Sequence, residues 1–290
     1  MGILFGLTAA FCFSLTSILV RVGQRTRPDD DGVFMSVLVN VIVLGVYARL
    51  VDWPAWDTPA MIAFFIGGVI GTVGGRTSLL RAVRLIGPSR SNAFLTGAPA
   101  VAALAGWLAL NETLTPIELV GGAIVVAGLL WLIKARSSET SGAEKAPLLH
   151  YVIAAGAPVS FGLAFVFRKW GLERFDSSVI GAFIGAASAY LVIVMIDAAR
   201  GKLAGRVRSN FGSPSWWFVG AGFSTSAALL SQFNAFTYLE AWVVGILQAT
   251  QGIWTIILSL MFLKGDERID APLVGSVGLV VTGVVLIALQ

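Results

Sequence analysis

The sequence predicts an all-α integral membrane protein, with ten transmembrane helices forming two inverted five-helix repeats around a central cavity. Three observations predict it. Hydrophobic residues fill 57% of the 290 positions and charged residues only 12%, where a soluble domain has about half and about a quarter. So much apolar surface exceeds what one soluble core hides. Ten apolar runs approach the roughly 20 residues a helix needs to cross the hydrocarbon core, and five of them fall in each half of a sequence that repeats itself.

The runs are read in order. Residues 3–21 form the first. It lacks the basic leader and cleavage site of a secretory signal, so it is expected to stay as a span. Gly6 stands where a myristoylation signal needs Ser or Thr. Ser14, Thr16 and Ser17 lie within this run, and it holds no acid. The second run, 33–51, reads as nearly devoid of polar groups. The third, 59–80, carries a ladder of Gly67, Gly71 and Gly75, then Thr72, Arg76, Thr77 and Ser78. Small residues at such spacing let helix backbones approach closely in lipid. The fourth, 89–110, holds Asn92, Thr96 and Pro99, and the fifth, 115–134, holds Gly121, Gly122 and Gly128. Residues 135–150 read as a polar linker. The sixth run, 151–168, has Ser160, while the seventh, 178–197, adds Gly181 and Gly185 and is otherwise apolar. Another polar loop is expected over 198–215. The eighth run, 216–238, is the most polar, with Ser224, Thr225, Ser226, Ser231, Gln232 and Asn234. The ninth, 242–263, has Gln248, Thr250, Gln251 and Trp254, and the tenth, 272–289, is a glycine-bearing apolar strut.

A shift of 155 residues lays Glu112 on Glu267, Gly128 on Gly283 and Gly67 on Gly222. A shift of 148 lays Phe13 on Phe161 and Gly23 on Gly171. The expected units are therefore 1–134 and 151–290. With five crossings in each, the second half enters from the opposite side, a plan recurrent among secondary transporters with a site at the repeat interface. Fifteen of the twenty Lys and Arg fall in or beside odd-numbered loops and four, Arg49, Arg168, Lys169 and Arg174, beside even ones. The positive-inside rule then puts odd loops in the cytoplasm and both termini outside.

Each half carries an aromatic-small pair in its first helix, Phe13-Ser14 and Phe161-Gly162. An acid follows at the end of each fourth helix, Glu112 and Glu267, and the last helices are glycine-rich. With Pro99 in the fourth helix, this pattern resembles the drug/metabolite transporter superfamily, in its EamA-type branch. It departs at Trp254, opposite Pro99, and at Phe13 and Phe161, where tryptophan is common. The chain also resembles, more weakly, the aromatic amino acid exporters of the YddG kind. The resemblance implies a multi-pass protein of a bacterial-type cytoplasmic membrane that exports metabolites.

Polar groups deep in a span are costly and default to functional hypotheses. The expected cavity wall therefore comprises Ser14, Ser17, Arg76, Thr77, Ser78, Asn92, Thr96, Ser224, Gln232, Asn234, Gln248, Gln251 and Trp254, from spans one, three, four, eight and nine, with span six, which holds Ser160, as the sixth wall helix. Hydroxyls equally serve interhelical hydrogen bonds. Arg76 either snorkels toward Arg81 and Arg84 or turns its planar fork toward a substrate carboxylate. Its repeat partner is Ser231, so the cation is one-sided. Trp53, Trp56, Trp170, Trp216, Trp217 and Trp242, at span ends, read as interface anchors. Glu112 and Glu267 read as loop or cap residues.

The expected partners are the bilayer and a small molecule, foremost an amino acid. The alternative is efflux of toxic organic cations, disfavoured by the missing acid in the first run. No cofactor is expected. Cys12 stands alone, so there is no intrachain disulfide or thiolate cluster, and one histidine, His150, makes no multi-histidine metal site. The sequence has neither a phosphate loop nor a hydrolase triad, so no enzyme is expected. The net charge of +4 comes without the basic-aromatic runs that would suggest nucleic acid.

Overall fold

The computed structural model describes residues 1–27, 30, 32–86, 94–113, 115–138, 147–262 and 271–288. They form helices α1 (Gly2–Thr26), α2 (Val33–Ala48), α3 (Thr58–Gly68), a π-helical turn (Val69–Gly75), α4 (Arg76–Ile86), α5 (Ala98–Leu110) and α6 (Pro116–Ser138). The second half forms α7 (Leu148–Arg174), α8 (Ser178–Ala199), α9 (Leu203–Gly212), α10 (Trp216–Tyr238), α11 (Ala241–Ala249), α12 (Gln251–Phe262) and α13 (Ala271–Ala288). There is no strand among the described residues. Five helical stretches are long and apolar enough to cross a membrane: Gly2–Thr26, Thr58–Leu79, Leu149–Arg174, Ser178–Ala199 and Ala241–Ser259. Shorter apolar helices cover Val33–Ala48, Ala98–Leu110, Leu119–Gly128 and Val274–Ile287.

Four expectations need correction. The loop 198–215 contains α9, which Arg206 ties to Asp197 at 3.1 Å. The ninth run breaks at Thr250, whose hydroxyl donates to the Leu247 carbonyl at 2.6 Å. The second run carries buried Ser36 and Asn40, and Ser226 donates to Asn40 Oδ1 at 3.0 Å. The sixth helix continues to Arg174, so Arg168 is intrahelical and belongs to no loop.

Local chemistry sets the helix ends. Asp57 caps α3, accepting from the Ala60 N–H at 2.8 Å, with Pro59 in the first turn. Such a side chain satisfies one of the orphan donors of a helix start. Asn111, at φ 55°, ends α5 in a left-handed conformation, and the Glu112 N–H reaches back to the Gly106 carbonyl at 3.3 Å. Gly32 opens α2 at φ 68°, a conformation that glycine adopts without strain.

The packing exchanges the two halves residue by residue. Gly23 and Gly32 both lie against the wholly buried Phe218 ring, and Gly171 and Gly181 both lie against the wholly buried Phe64 ring. Gly222 faces Ser36 and Val39 of α2, and Gly68 faces Gly185 and Ser188 of α8. Thr16 meets Thr225 at 3.2 Å where, at the equivalent seam, Ala164 meets Gly71. Gly121 meets Gly283, and Gly128 meets Ser276. Each pair maps onto the other when the halves are swapped, which is pseudo-two-fold packing. It also corrects the repeat register at this point: Gly68, rather than Gly67, occupies the place of Gly222.

One end of the bundle is the denser. Phe64 contacts Phe175 and Phe233 at ring-centroid distances of 6.3 and 5.9 Å, and Phe236 contacts Phe165 and Phe233 at 5.9 and 6.3 Å. Every residue from Ala241 to Leu247 is buried. This end carries the connections 49–57, 111–113, 175–177 and 239–240, which belong to the even-numbered loops. Toward the other end Ser17, Thr77, Arg81, Leu85 and Gly252 are exposed.

Candidate functional site

The seam of α1 with α10 and α12 gathers five expected residues. Ser14, wholly buried, donates to the carbonyls of Ala10 and Gln251, each at 2.8 Å. The Gln251 amide donates to Ser17 Oγ at 3.4 Å, and Ser17 in turn donates to the Phe13 carbonyl at 3.0 Å. Ser224 donates to the Cys12 carbonyl at 2.7 Å. The half-buried Trp254 ring stands edge-on to Phe11, with centroids 5.5 Å apart. These hydroxyls are engaged with backbone carbonyls across helices, while Ser17 and the Gln251 amide lie at an exposed edge where a ligand can meet them.

Arg76, Thr77 and Ser78 open α4, which packs on α7. Arg76 is half-buried and Thr77 exposed, donating to the Val73 carbonyl at 2.6 Å. Ser78 faces Gly156, and Gly74 and Gly75 face Ser160 and Phe161 of α7. The glycines around the π turn thus let α7 approach. π turns of this kind recur at functional sites because they re-aim side chains out of helical register. Thr96, Asn234 and Gln248 are half-buried. The Gln248 amide nitrogen is buried without a hydrogen-bond partner among the described residues, a donor that a polar ligand can satisfy. Asn92 and Glu267 lie outside the described residues.

Gln232 belongs to a different constellation, one missed at the level of sequence. It is 1% exposed, and its Oε1 accepts from Arg168 Nη1 at 2.7 Å. Arg168 is itself only 6% exposed. Its Nη2 reaches the Gly67 carbonyl at 3.5 Å, and its guanidinium carbon sits 5.9 Å from the Phe233 ring centroid. In sequence Arg168 closes an apolar run and precedes Lys169, so it reads as a basic loop flank. The signal that marks it is the 148-residue shift, which lays it on Val20.

Glu112 joins the two halves at the dense end. It is 6% exposed, and its Oε1 accepts from the Ala241 N–H at 2.7 Å, capping α11. Burial pushes its carboxyl above the usual range, and the Ala241 hydrogen bond and the nearby Lys169 pull the other way. Asp57 pairs with Arg174 at 3.0 Å. That side-chain hydrogen bond, with the Ala60 N–H, holds its carboxyl below the usual range. Lys169 donates to the Phe236 and Leu239 carbonyls at 3.4 and 3.0 Å. Trp242, expected at the interface, is buried, and its indole N–H donates to Glu240 at 2.7 Å. By contrast, Trp53, Trp56, Trp216 and Trp217 are exposed. Among the described residues no cluster of His, Cys, Asp or Glu is suited to a metal ion.

Comparison with known proteins returns a family and a fold. The EamA-like transporter family matches residues 1–134 and again 148–289. A solved crystal structure of a protein superposes with a TM-score of 0.73 at 18% sequence identity, covering 99% of this chain and 96% of that one. No curated protein matches the chain.

Proposed function

The chain belongs to the EamA-like transporter family, and on that premise we propose that it is a ten-span carrier of small amphipathic metabolites, amino acids foremost, working by alternating access. The family makes it a multi-pass membrane transporter rather than an enzyme. The observation that supports the mechanism is the two-fold exchange of contacts, Gly23–Phe218 with Gly171–Phe64 and Gly121–Gly283 with Gly128–Ser276. Two nearly equivalent halves have two nearly equivalent ways to rock, each opening one end, and inverted repeats use that degeneracy.

The dense even-loop end is the closed gate in this reading. Asp57–Arg174, Glu112–Ala241 and the Phe64–Phe175–Phe233 cluster hold it shut. The exposed end at Ser17, Thr77 and Gly252 is the mouth. If the Lys and Arg bias sets the orientation, the mouth faces the cytoplasm, as an exporter awaiting substrate requires. Substrate then meets Arg76, Thr77, Ser78 and Thr96 on one wall, Ser14, Ser17, Gln251 and Trp254 on another, with Ser224, Asn234 and Gln248 between. Arg76 and the amide side chains suit a zwitterion with a carboxylate.

Counterflow of radiolabelled amino acids in proteoliposomes tests the proposal. Protein-dependent exchange of at least one amino acid is expected. Absence of exchange across a broad panel of amino acids and related metabolites, with toxic-cation resistance conferred instead, would overturn the substrate class.

A further inference from the structure

Arg168 has no equivalent in the first half, where Val20 takes its place, and its surroundings are altered to match. Of the two equivalent seams between the halves, one pairs Thr16 with Thr225, while the other pairs Ala164 with Gly71. Losing both threonine side chains opens a space that the guanidinium fills: a Cβ added to Gly71 would stand 2.8 Å from Arg168 Nη2 and 3.0 Å from Ala164 Cβ.

The direction of the side chain matters more. An arginine near a helix end ordinarily runs its stem toward the membrane surface. Arg168 Cγ lies beside Gly67, while its Nη2 lies beside Gly71. Gly71 is one turn further from the start of α3 at Thr58, about 6 Å deeper at 1.5 Å per residue. The side chain therefore points into the bundle, away from the even-loop surface that Lys169 and Arg174 occupy. It is met there by neutral acceptors, the Gln232 amide oxygen and the Gly67 carbonyl, and by the Phe233 ring. Among the described residues its Nε is buried without a hydrogen-bond partner and no carboxylate pairs with it. A buried guanidinium offers five donors in a rigid fork, and its natural complement is an anion rather than two neutral oxygens.

We propose that Arg168 is a second, deeper anion-recognition group of the transport pathway, beyond Arg76 at the mouth, where a carboxylate on the transported molecule takes the guanidinium fork in place of the Gln232 amide oxygen. The proposal rests on the carrier reading above and names the charge that the substrate must bear. The π turn and α10 hold the guanidinium at rest, and the gate's opening exposes it. Gln232 then serves as an internal stand-in that keeps the cation satisfied when the site holds no substrate.

The test uses the full-length protein with a panel of L-amino acids, each beside its methyl ester and its decarboxylated amine. Thermal shift in detergent and counterflow in proteoliposomes are the readouts. The key variant is Gln232→Glu, nearly isosteric, which gives Arg168 a carboxylate of its own. It is expected to raise the melting temperature and to abolish stabilisation by free carboxylates. Arg168→Lys, which loses the fork, and Gly71→Ala, which crowds Nη2, are expected to weaken free acids by about tenfold or more, the worth of a charged hydrogen bond. Amines and esters should change little. Undiminished carboxylate binding in Gln232→Glu would overturn the role of Arg168 while leaving the carrier intact. Wild-type protein that transports only amines or esters would likewise overturn it and spare the carrier. Absence of any binding or exchange by wild-type protein would sink both.

Discussion

Replacing Gly171 by alanine probes the contact on which the two-fold packing turns. The added Cβ would stand 2.5, 2.7 and 3.0 Å from Cε1, Cδ1 and Cζ of Phe64. The ring has nowhere to go. It is wholly buried, Gly181 presses from the neighbouring helix with a hypothetical Cβ 2.9 Å away, and Phe175 and Phe233 hold its edges. Overpacking of this kind costs about 1–3 kcal/mol, against which alanine gains about 1 kcal/mol in helix propensity over glycine. A double-mutant cycle separates the two. In a Phe64→Ala background, itself expected to cost about 3–5 kcal/mol, the clash vanishes and only the propensity gain remains. The coupling between Gly171→Ala and Phe64→Ala should therefore be about 1–3 kcal/mol, read by reversible unfolding in detergent. The cycle Gly23→Ala with Phe218→Ala should give a coupling of the same size, because that pair is the image of the first. A coupling below about 0.5 kcal/mol, the ordinary scatter of independent sites, would refute the packing argument. Unequal couplings would refute the symmetry.

Glu112, Asp57 and Arg76 give further expected outcomes. Glu112→Ala should destabilise the protein by about 0.5–2 kcal/mol, the worth of a helix cap, because the Ala241 N–H loses its acceptor. Since the folded protein holds the Glu112 carboxyl above its ordinary value, the folded state binds the proton more tightly. Stability should then fall as pH rises from the ordinary carboxylate range through the raised value, and Glu112→Gln should remove that dependence in a melting-temperature profile across pH. Asp57 has the opposite sign: its carboxyl is held low, so its stabilisation is complete above the ordinary carboxylate value and is lost only as pH falls through the lowered one. Asp57→Asn should flatten the acid limb of the same profile. Arg76→Ala should weaken exchange of carboxylated substrates more than that of their neutral analogues in counterflow, and equal losses would dismiss its assigned role.

The architecture was legible because its signals are collective. Among the described residues the apolar runs are helical, five stretches of them long and apolar enough to cross a membrane, and the shift that lays Gly23 on Gly171 is the one by which both glycines meet a phenylalanine. What escaped the sequence was local. The register of the third helix lies one residue from the sequence alignment because Gly67 and Gly68 are adjacent, and either can be laid on Gly222. The break at Thr250 went unread because a serine- or threonine-bearing apolar run looks continuous until the hydroxyl turns back on its own chain. Of the expected wall, Ser14, Ser17, Ser224, Gln251 and Trp254 meet along one seam, whereas Gln232, expected on the same wall, is tied to Arg168. Arg168 itself was hidden by helix length: α7 runs six residues past the apolar run that announced it, so a residue within the bundle carried the composition of a loop. The same logic in reverse buried Trp242, whose position at a run's start suggested an interface and whose indole lies inside.

The central claim is that the end pinned by Asp57 and Arg174 must open during transport. The most direct measurement places cysteines at both positions in a Cys12→Ser background, joins them with a short cleavable bifunctional reagent, and follows amino acid counterflow in proteoliposomes. The account predicts that exchange stops on cross-linking and returns when the bridge is cleaved, while either single cysteine treated alike keeps exchanging. Full exchange through the cross-linked protein would contradict it.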